Sequence, residues 1–423
     1  MKHTSLSIFA LAVTAAGLTV QTSAPATAQD LQRGETVLER RRPEVEQLGV
    51  RAGGFNILPR VEAGTTYDSN VFATQDNTEH DFIFLLRPQV AVRSDWNNHA
   101  LNFTAQADVA RFREFKRLNY EDYQLNANGR LDITRSTALS AELFHRRNHE
   151  SPGDPDVLFS VDEPIIYRTT GGEVGVRQTF NRIRARLSGQ ATYYEFDDAR
   201  LVGGFIDPQD DRNRWEYAGT ARVGYEFMDG YEAFVQGALS KTSYRRDTDF
   251  AGFERDSTGQ EFAVGASADL TGLLTGEAYV GYLSKDYSDP RLKDFSGIGF
   301  GGSLTWTVTQ LTTVQGRVSR TVRETTAFQG VALASSYTRT LFAVGVDHEL
   351  LRSLLLNGRI QYRQDEFNGI DRSDKVYTLG AGATYNINRN LFLTGGYTFE
   401  SRKSNSVNDY KDNLIYLRLG AQL

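Results

Sequence analysis

The sequence contains no cysteine and only nine prolines. Without cysteine there is no disulfide framework and no N-terminal Cys for lipid attachment, and a chain of 423 residues does not need disulfides to bury a core. Beyond residues 6–20 there is no run of about 18 apolar residues, so no helical membrane span is expected. Basic excess is missing too: the formal net charge is −6 and the pI about 5.7, which argues against nucleic acid as a partner. Six histidines without a cysteine leave little from which to build a transition-metal site. What is present in quantity is aromatic residues and glycine, with 25 Phe, 20 Tyr and 38 Gly, yet mean hydropathy is −0.44. Polar on average, rich in aromatics and free of helical spans, this composition suits a β-barrel with a wet lumen.

Residues 214–231 carry the pattern most clearly. Trp215, Tyr217, Gly219, Ala221, Val223, Tyr225 and Phe227 alternate with Arg214, Glu216, Ala218, Thr220, Arg222, Gly224 and Glu226. Side chains alternate faces along a strand, so one face is apolar with aromatic ends and the other is charged and polar. Only a bilayer presents an interface at both ends of an apolar band, so the segment is predicted to be a transmembrane barrel strand. The end of the chain repeats it: Ile415, Leu417, Leu419, Ala421 and Leu423 face one way, Tyr416, Arg418, Gly420 and Gln422 the other.

A basic start at Lys2 and His3, the apolar stretch 6–20 and Ala26-Thr27-Ala28 predict a signal peptide over residues 1–28, with Gln29 first in the mature chain. Residues 29–56 are charged and lack alternation. They are expected to form a mobile periplasmic arm, a tether or a docking peptide, with room for a short helix around residues 34–42. From residue 57 to 423 two kinds of connection alternate. Eight are short, such as Asn181, Met228-Asp229-Gly230 and Thr271-Gly272; nine are longer, at about 68–80, 113–119, 150–167, 196–213, 246–257, 287–293, 326–335, 367–373 and 403–409. Short periplasmic turns and long external loops in that number imply an all-β, antiparallel up-and-down barrel of about 18 strands, each about 11–14 residues long. A propeller would show four-strand blade repeats, and only pairwise periodicity is present.

Arg41-Arg42-Pro43-Glu44, Leu48-Gly49-Val50-Arg51, residues 55–59, Val61-Glu62-Ala63-Gly64 and Tyr67-Asp68-Ser69-Asn70-Val71-Phe72-Ala73 together resemble the outer-membrane β-barrel porin family of Gram-negative bacteria known as the β-barrel porin 2 type. The resemblance implies the outer membrane as location, and a link to exopolysaccharide export or surface-polysaccharide assembly. The hydrophobic C-terminus resembles the signal by which outer-membrane barrels are recognised for insertion, with Leu423 where an aromatic is usual. The partners expected are therefore outer-membrane lipid and lipopolysaccharide, the barrel-assembly machinery, and polysaccharide or periplasmic export proteins; nucleic acid is not among them.

The chemical motifs in the chain fall within the pattern of strands and loops. Gly297-Ile298-Gly299-Phe300-Gly301-Gly302 fits G-x-G-x-x-G, but Ile298, Phe300, Leu304 and Trp306 continue an outward set, so it is a glycine-rich strand and not a dinucleotide loop. His145 and His149 lie on a strand running into a loop, so their spacing of four does not pair them. Loop carboxylates Asp154, Asp156, Asp207, Asp210 and Asp211 could collect calcium, although solvated loop charge is the plainer account. No G-x-S-x-G elbow accompanies any histidine, so no catalytic residue, cofactor or metal site is assigned and the chain is not expected to be an enzyme.

The expected functional surface is the lumen. Its lining candidates are Arg182, Arg184, Arg186, Arg222, Arg317, Arg359, Arg363 and Arg418, interspersed with inward carboxylates such as Glu62, Glu173, Glu226, Glu232, Glu277 and Asp365. Arg182, Arg184 and Arg186, spaced by two, are expected to form an inward stripe above a periplasmic turn. That stripe suits either an anion contact or neutralisation of neighbouring carboxylates. Three function classes follow: a channel associated with polysaccharide export, a general diffusion porin for small solutes, and a non-conducting structural or adhesion barrel. A porin should fold a long loop inward, and 150–167 and 196–213 are the candidates.

Overall fold

The computed structural model describes residues 36–40, 42–157, 162–270 and 273–423. The expected signal segment, residues 29–35, the Thr271-Gly272 turn and residues 158–161 of the third long connection lie outside them.

Eighteen antiparallel strands form one closed up-and-down barrel. Each pairs with its neighbours in sequence. The first, Phe55–Asp68, closes on the last, Tyr410–Gln422, from Arg60↔Gln422 to Asp68↔Leu414. Closure satisfies every ladder and leaves no strand edge in hydrocarbon. A short extra strand, Val50–Ala52, folds back on the start of the first, with Val50 opposite Ile57. Barrel strands run from 13 residues, as in Tyr410–Gln422, to 16, as in Ile165–Phe180 and Ser336–Leu351. They slightly exceed the expected lengths. At about 3.3 Å per residue and a tilt of about 40°, such strands rise roughly 35 Å, beyond the apolar band of about 25 Å. The surplus builds a wall outside the bilayer.

Hairpin chemistry appears where the sequence placed it. Asn181 turns at φ 53° and Gly230 at φ 80°, a region that Asn and Gly enter most readily. The end bearing these short turns is the periplasmic one, as in bacterial outer-membrane barrels. The opposite end carries the nine long connections. One of them, 197–213, holds a small ladder of its own between Ala199–Arg200 and Ile206–Asp207.

The alternation resolves into two faces. Val223, Ile360 and Leu417 are 49%, 62% and 56% exposed, all on the outer face, while Glu62, Arg87 and Arg363 are buried on the inner one. Trp215 stacks on Tyr217 and meets Tyr193 at the external rim, and Phe227 meets Tyr231 at the periplasmic rim. Ile298 is exposed on the lipid face, so Gly297 to Gly302 is a barrel segment within Phe295–Thr309. Buried apolar clusters lie at the external end, one around Ala334, Tyr337 and Phe367, the other around Ile165, Phe196 and Ala199.

Candidate functional site

The lumen is lined by the inward residues of all eighteen strands, and charges of both signs pair across it. Arg222 reaches Glu277 at 3.1 Å and Glu232 at 3.5 Å, with its guanidinium 3.4 Å over the Phe234 ring. Arg87 holds Asp108 at 2.5 Å, and Arg60 holds Glu62 at 2.7 Å. Direct opposition supplies only part of this, as where Glu62 faces Arg87; elsewhere the registers set like charges opposite, Arg186 facing both Arg177 and Arg222 and Glu226 facing Glu232, and the ion pairs form along a strand or diagonally between strands.

The expected arginine stripe lies at the start of the seventh strand and the turn before it. Arg182 lies in the turn after Asn181, just outside the strand Ile183–Phe196, and its carbonyl accepts from the Glu226 N–H at 2.8 Å. Arg184 is bound by Glu226 at 2.8 Å and Glu232 at 3.0 Å, and Arg186 faces Glu173 at 3.5 Å. These carboxylates offset part of their field, while Arg177 and Arg222 stand opposite Arg186 on its two neighbouring strands. The sequence shows parity within each strand, but the partner opposite depends on register between strands.

The other candidates occupy the lumen wall at different heights. Arg363 is buried and lies 3.3 Å from Asp365. Arg418 stacks on Tyr416, 4.5 Å from its centroid. Arg317 sits opposite Ala343 and Ser303. Arg359 lies between Gly345 and Gly380 and is exposed to the lumen, with neither ion pair nor hydrogen bond among the described residues.

At the external mouth the chain crosses the opening. Residues 151–157 follow the fifth strand, Thr137–Glu150, and meet elements far around the barrel. The Gly153 carbonyl accepts from Arg402 at 2.9 Å, and the Pro155 carbonyl from Arg372 at 3.0 Å. Asp156 accepts from the Thr325 hydroxyl and from the Thr326 N–H at 3.2 Å. Arg212 comes within 3.8 Å of Asp156 while pairing with Glu150 at 2.5 Å. Thr325 follows the thirteenth strand, Arg372 precedes the sixteenth and Arg402 is on the seventeenth. The span is thus pinned to the far wall. Burial raises the Asp154 carboxyl above the usual carboxylate range, and the Ser151 N–H donated to it at 2.7 Å, with the charges of Arg363 and Arg339, pulls it partly back. Beneath the span, Arg339 grips Asp365 through two bonds of 2.7 Å. Of the two candidate loops, 150–167 is the one with these cross-mouth bonds.

At the periplasmic mouth the arm does not hang free. Its described part, residues 36–40 and 42–49, forms turns and docks on the barrel. Val37 is buried and donates its N–H to the Thr313 hydroxyl at 2.9 Å. Arg42 reaches the buried Glu349 carboxylate at 3.1 Å and Arg40 the same group at 3.4 Å. Gly49 donates to the Leu423 carbonyl at 2.9 Å, so the segment runs from the thirteenth and fourteenth strands to the seam.

Arg212, Arg339, Arg372 and Arg402 escaped the sequence analysis. Arg339 and Arg402 share the inward parity of Ala343 and Glu400, a signal that was available; Arg212 and Arg372 lie in connections, where period 2 gives none. The histidines make only local contacts. His145 bonds Thr170 at 2.7 Å and Tyr123 at 3.1 Å, and His348 bonds Thr312 at 2.9 Å. Among the described residues no group of three or more His, Asp or Glu could hold a metal ion.

The family model described as "Putative beta-barrel porin 2" matches residues 42–423. No curated protein matches the chain. Among solved structures, Pseudomonas aeruginosa OccK1 (OpdK) is similar at 11% identity and a TM-score of 0.44, covering 87% of this chain and 99% of its own. The copper transporter OprC is similar at 10% identity and a TM-score of 0.47, covering 89% and 81%. Pseudomonas aeruginosa OccK2 (OpdF) is similar at 9% identity and a TM-score of 0.45, covering 87% and 98%. The chain belongs to the β-barrel porin 2 family and is a porin-like channel barrel of the outer membrane.

Proposed function

We propose that this barrel is a diffusion channel for small polar solutes, narrowed at its external mouth by residues 151–157 and at its periplasmic mouth by the arm. The observation that carries this reading is the cross-mouth span, held by Arg402, Arg372, Thr325 and Thr326. An 18-strand wall leaves room for an aqueous path, and a polar, charge-paired lining keeps that path wet. A folded span through the opening then sets the width. No catalytic role is proposed: His145 and His348 engage threonine hydroxyls and His149 the Asp122 carboxylate, with no third group completing a triad at any of them among the described residues.

The association with polysaccharide export, implied by family resemblance, would require the span and the arm to clear a path for a polymer. The number of bonds fixing the span favours small solutes. Recording in planar bilayers with the purified full chain tests the reading. Discrete, reproducible conductance steps are expected, with partition of small uncharged sugars and exclusion of oligosaccharides. A wild-type barrel that inserts and never conducts would refute the channel. Passage of long oligosaccharides would favour the export role.

A further inference from the structure

Three lysines stand together on the outer face, just above the apolar band. Lys375 lies directly opposite Lys403 on the neighbouring strand, and Lys411, opposite Ser401, is diagonal to Lys403. All three are exposed. Below Lys375 the same face carries Tyr377, Leu379, Ala381, Ala383 and Tyr385, a band with an aromatic at each end. Tyr377 continues an aromatic belt with Tyr362 at 5.1 Å, which in turn meets Phe342 at 6.3 Å. Such belts mark the boundary between hydrocarbon and headgroups. The lysines therefore sit at headgroup depth in the outer leaflet.

Their mutual placement is unfavourable by itself. Directly opposed side chains on adjacent strands have Cβ atoms about 4.5–5.5 Å apart, and like charges there repel. One counter-charge is present: Asp409 pairs with Lys403 at 2.5 Å. The next outward carboxylate, Glu366, is engaged by Arg320 at 3.3 Å. Lys375 and Lys411 have no ion pair among the described residues, so two ammonium groups lack a counter-charge at a place where water is thinning. An anion between the strands would relieve this. A compact ammonium suits a phosphate oxygen as a point charge, and phosphate is the anion that a lipid headgroup brings to that depth.

We propose that Lys375, Lys403 and Lys411 form a docking site for a phosphate group on an outer-leaflet lipid, with its acyl chains lying along the apolar face below. The site is on the outside of the barrel and is independent of conduction through the lumen. The test uses the full-length protein in micelles, with binding followed by native mass spectrometry. The probes are the phosphorylated glycolipid of the outer leaflet, the same glycolipid with its phosphates removed, and inorganic phosphate. The wild type should retain the phosphorylated form and bind the dephosphorylated form far less. The variant K375Q/K403Q/K411Q should bind the phosphorylated form about a hundredfold more weakly, from about fivefold per lysine at an anionic surface. Heat-modifiable gel migration verifies that the variant is folded, and the single variant K411Q gives a milder version should the triple fail to assemble. Equal retention of the two lipid forms, unchanged binding by the folded variant, or inorganic phosphate bound as tightly as the lipid would each overturn the proposal.

Discussion

Replacing Asp156 by Ala together with Arg402 by Gln attacks the cross-mouth span from both ends. Asp156 loses the Thr325 hydroxyl and the Thr326 N–H, and the Gly153 carbonyl loses the Arg402 guanidinium. A hydrogen bond to a charged group contributes about 1.5–3 kcal/mol net. Counting only one such bond at each end, the docked state loses roughly 3 kcal/mol, a shift of about 150-fold toward the undocked state. Arg372 still holds the Pro155 carbonyl and Arg212 still pairs with Glu150, so the span should fluctuate and not vanish. In planar bilayers the double variant should dwell longer in a higher-conductance state than the wild type. The chain has no native cysteine, so Val157→Cys in each background gives one thiol for a membrane-impermeant reagent, and labelling should be at least tenfold faster in the double variant. Unchanged conductance and unchanged labelling, in a variant whose heat-modifiable migration shows it folded, would mean that these bonds do not hold the span.

The same span should respond to pH through Asp154. Its docked-state pKa is raised by burial, so the docked state binds the proton more readily than a free loop does. Docking is then strongest below the ordinary carboxylate pKa and weakens as pH rises through the docked value, so acidification should lower conductance; Asp154→Asn should flatten that dependence, and a variant as acid-sensitive as the wild type would remove Asp154 from the account. On the lipid face, Val223→Arg should cost about 2–4 kcal/mol in vesicle unfolding titrations, whereas the unpaired lumenal Arg359→Ala should stay within about 0.5 kcal/mol; the reverse order would invert the strand phase. Glu349→Gln removes the carboxylate that Arg40 and Arg42 share, so proteolysis within residues 36–48 should accelerate at least tenfold, and an unaltered cleavage rate would show that the arm is held by other contacts.

Some of this protein was written in the order of its residues. Alternation in 214–231 and at the C-terminus fixed which face meets lipid, because a strand's period of 2 is local and needs no knowledge of its neighbour. Turn residues such as Asn181 and Gly230, and the alternation of short with long connections, gave the strand number and the way the chain runs up and down. The lumen was legible only as a list of inward charges. Register decided that Arg184 meets Glu226 and Glu232, and that Arg186 stands opposite Arg177 and Arg222. Arg402 reaching Gly153, Arg42 reaching Glu349, and Lys375 opposing Lys403 are pairings that only closure and register create. In the first two the partners lie hundreds of residues apart and outside regular alternation at one end. Sequence period fixes the direction of a side chain relative to its own strand; what stands at the other end of that direction is set by the barrel as a whole.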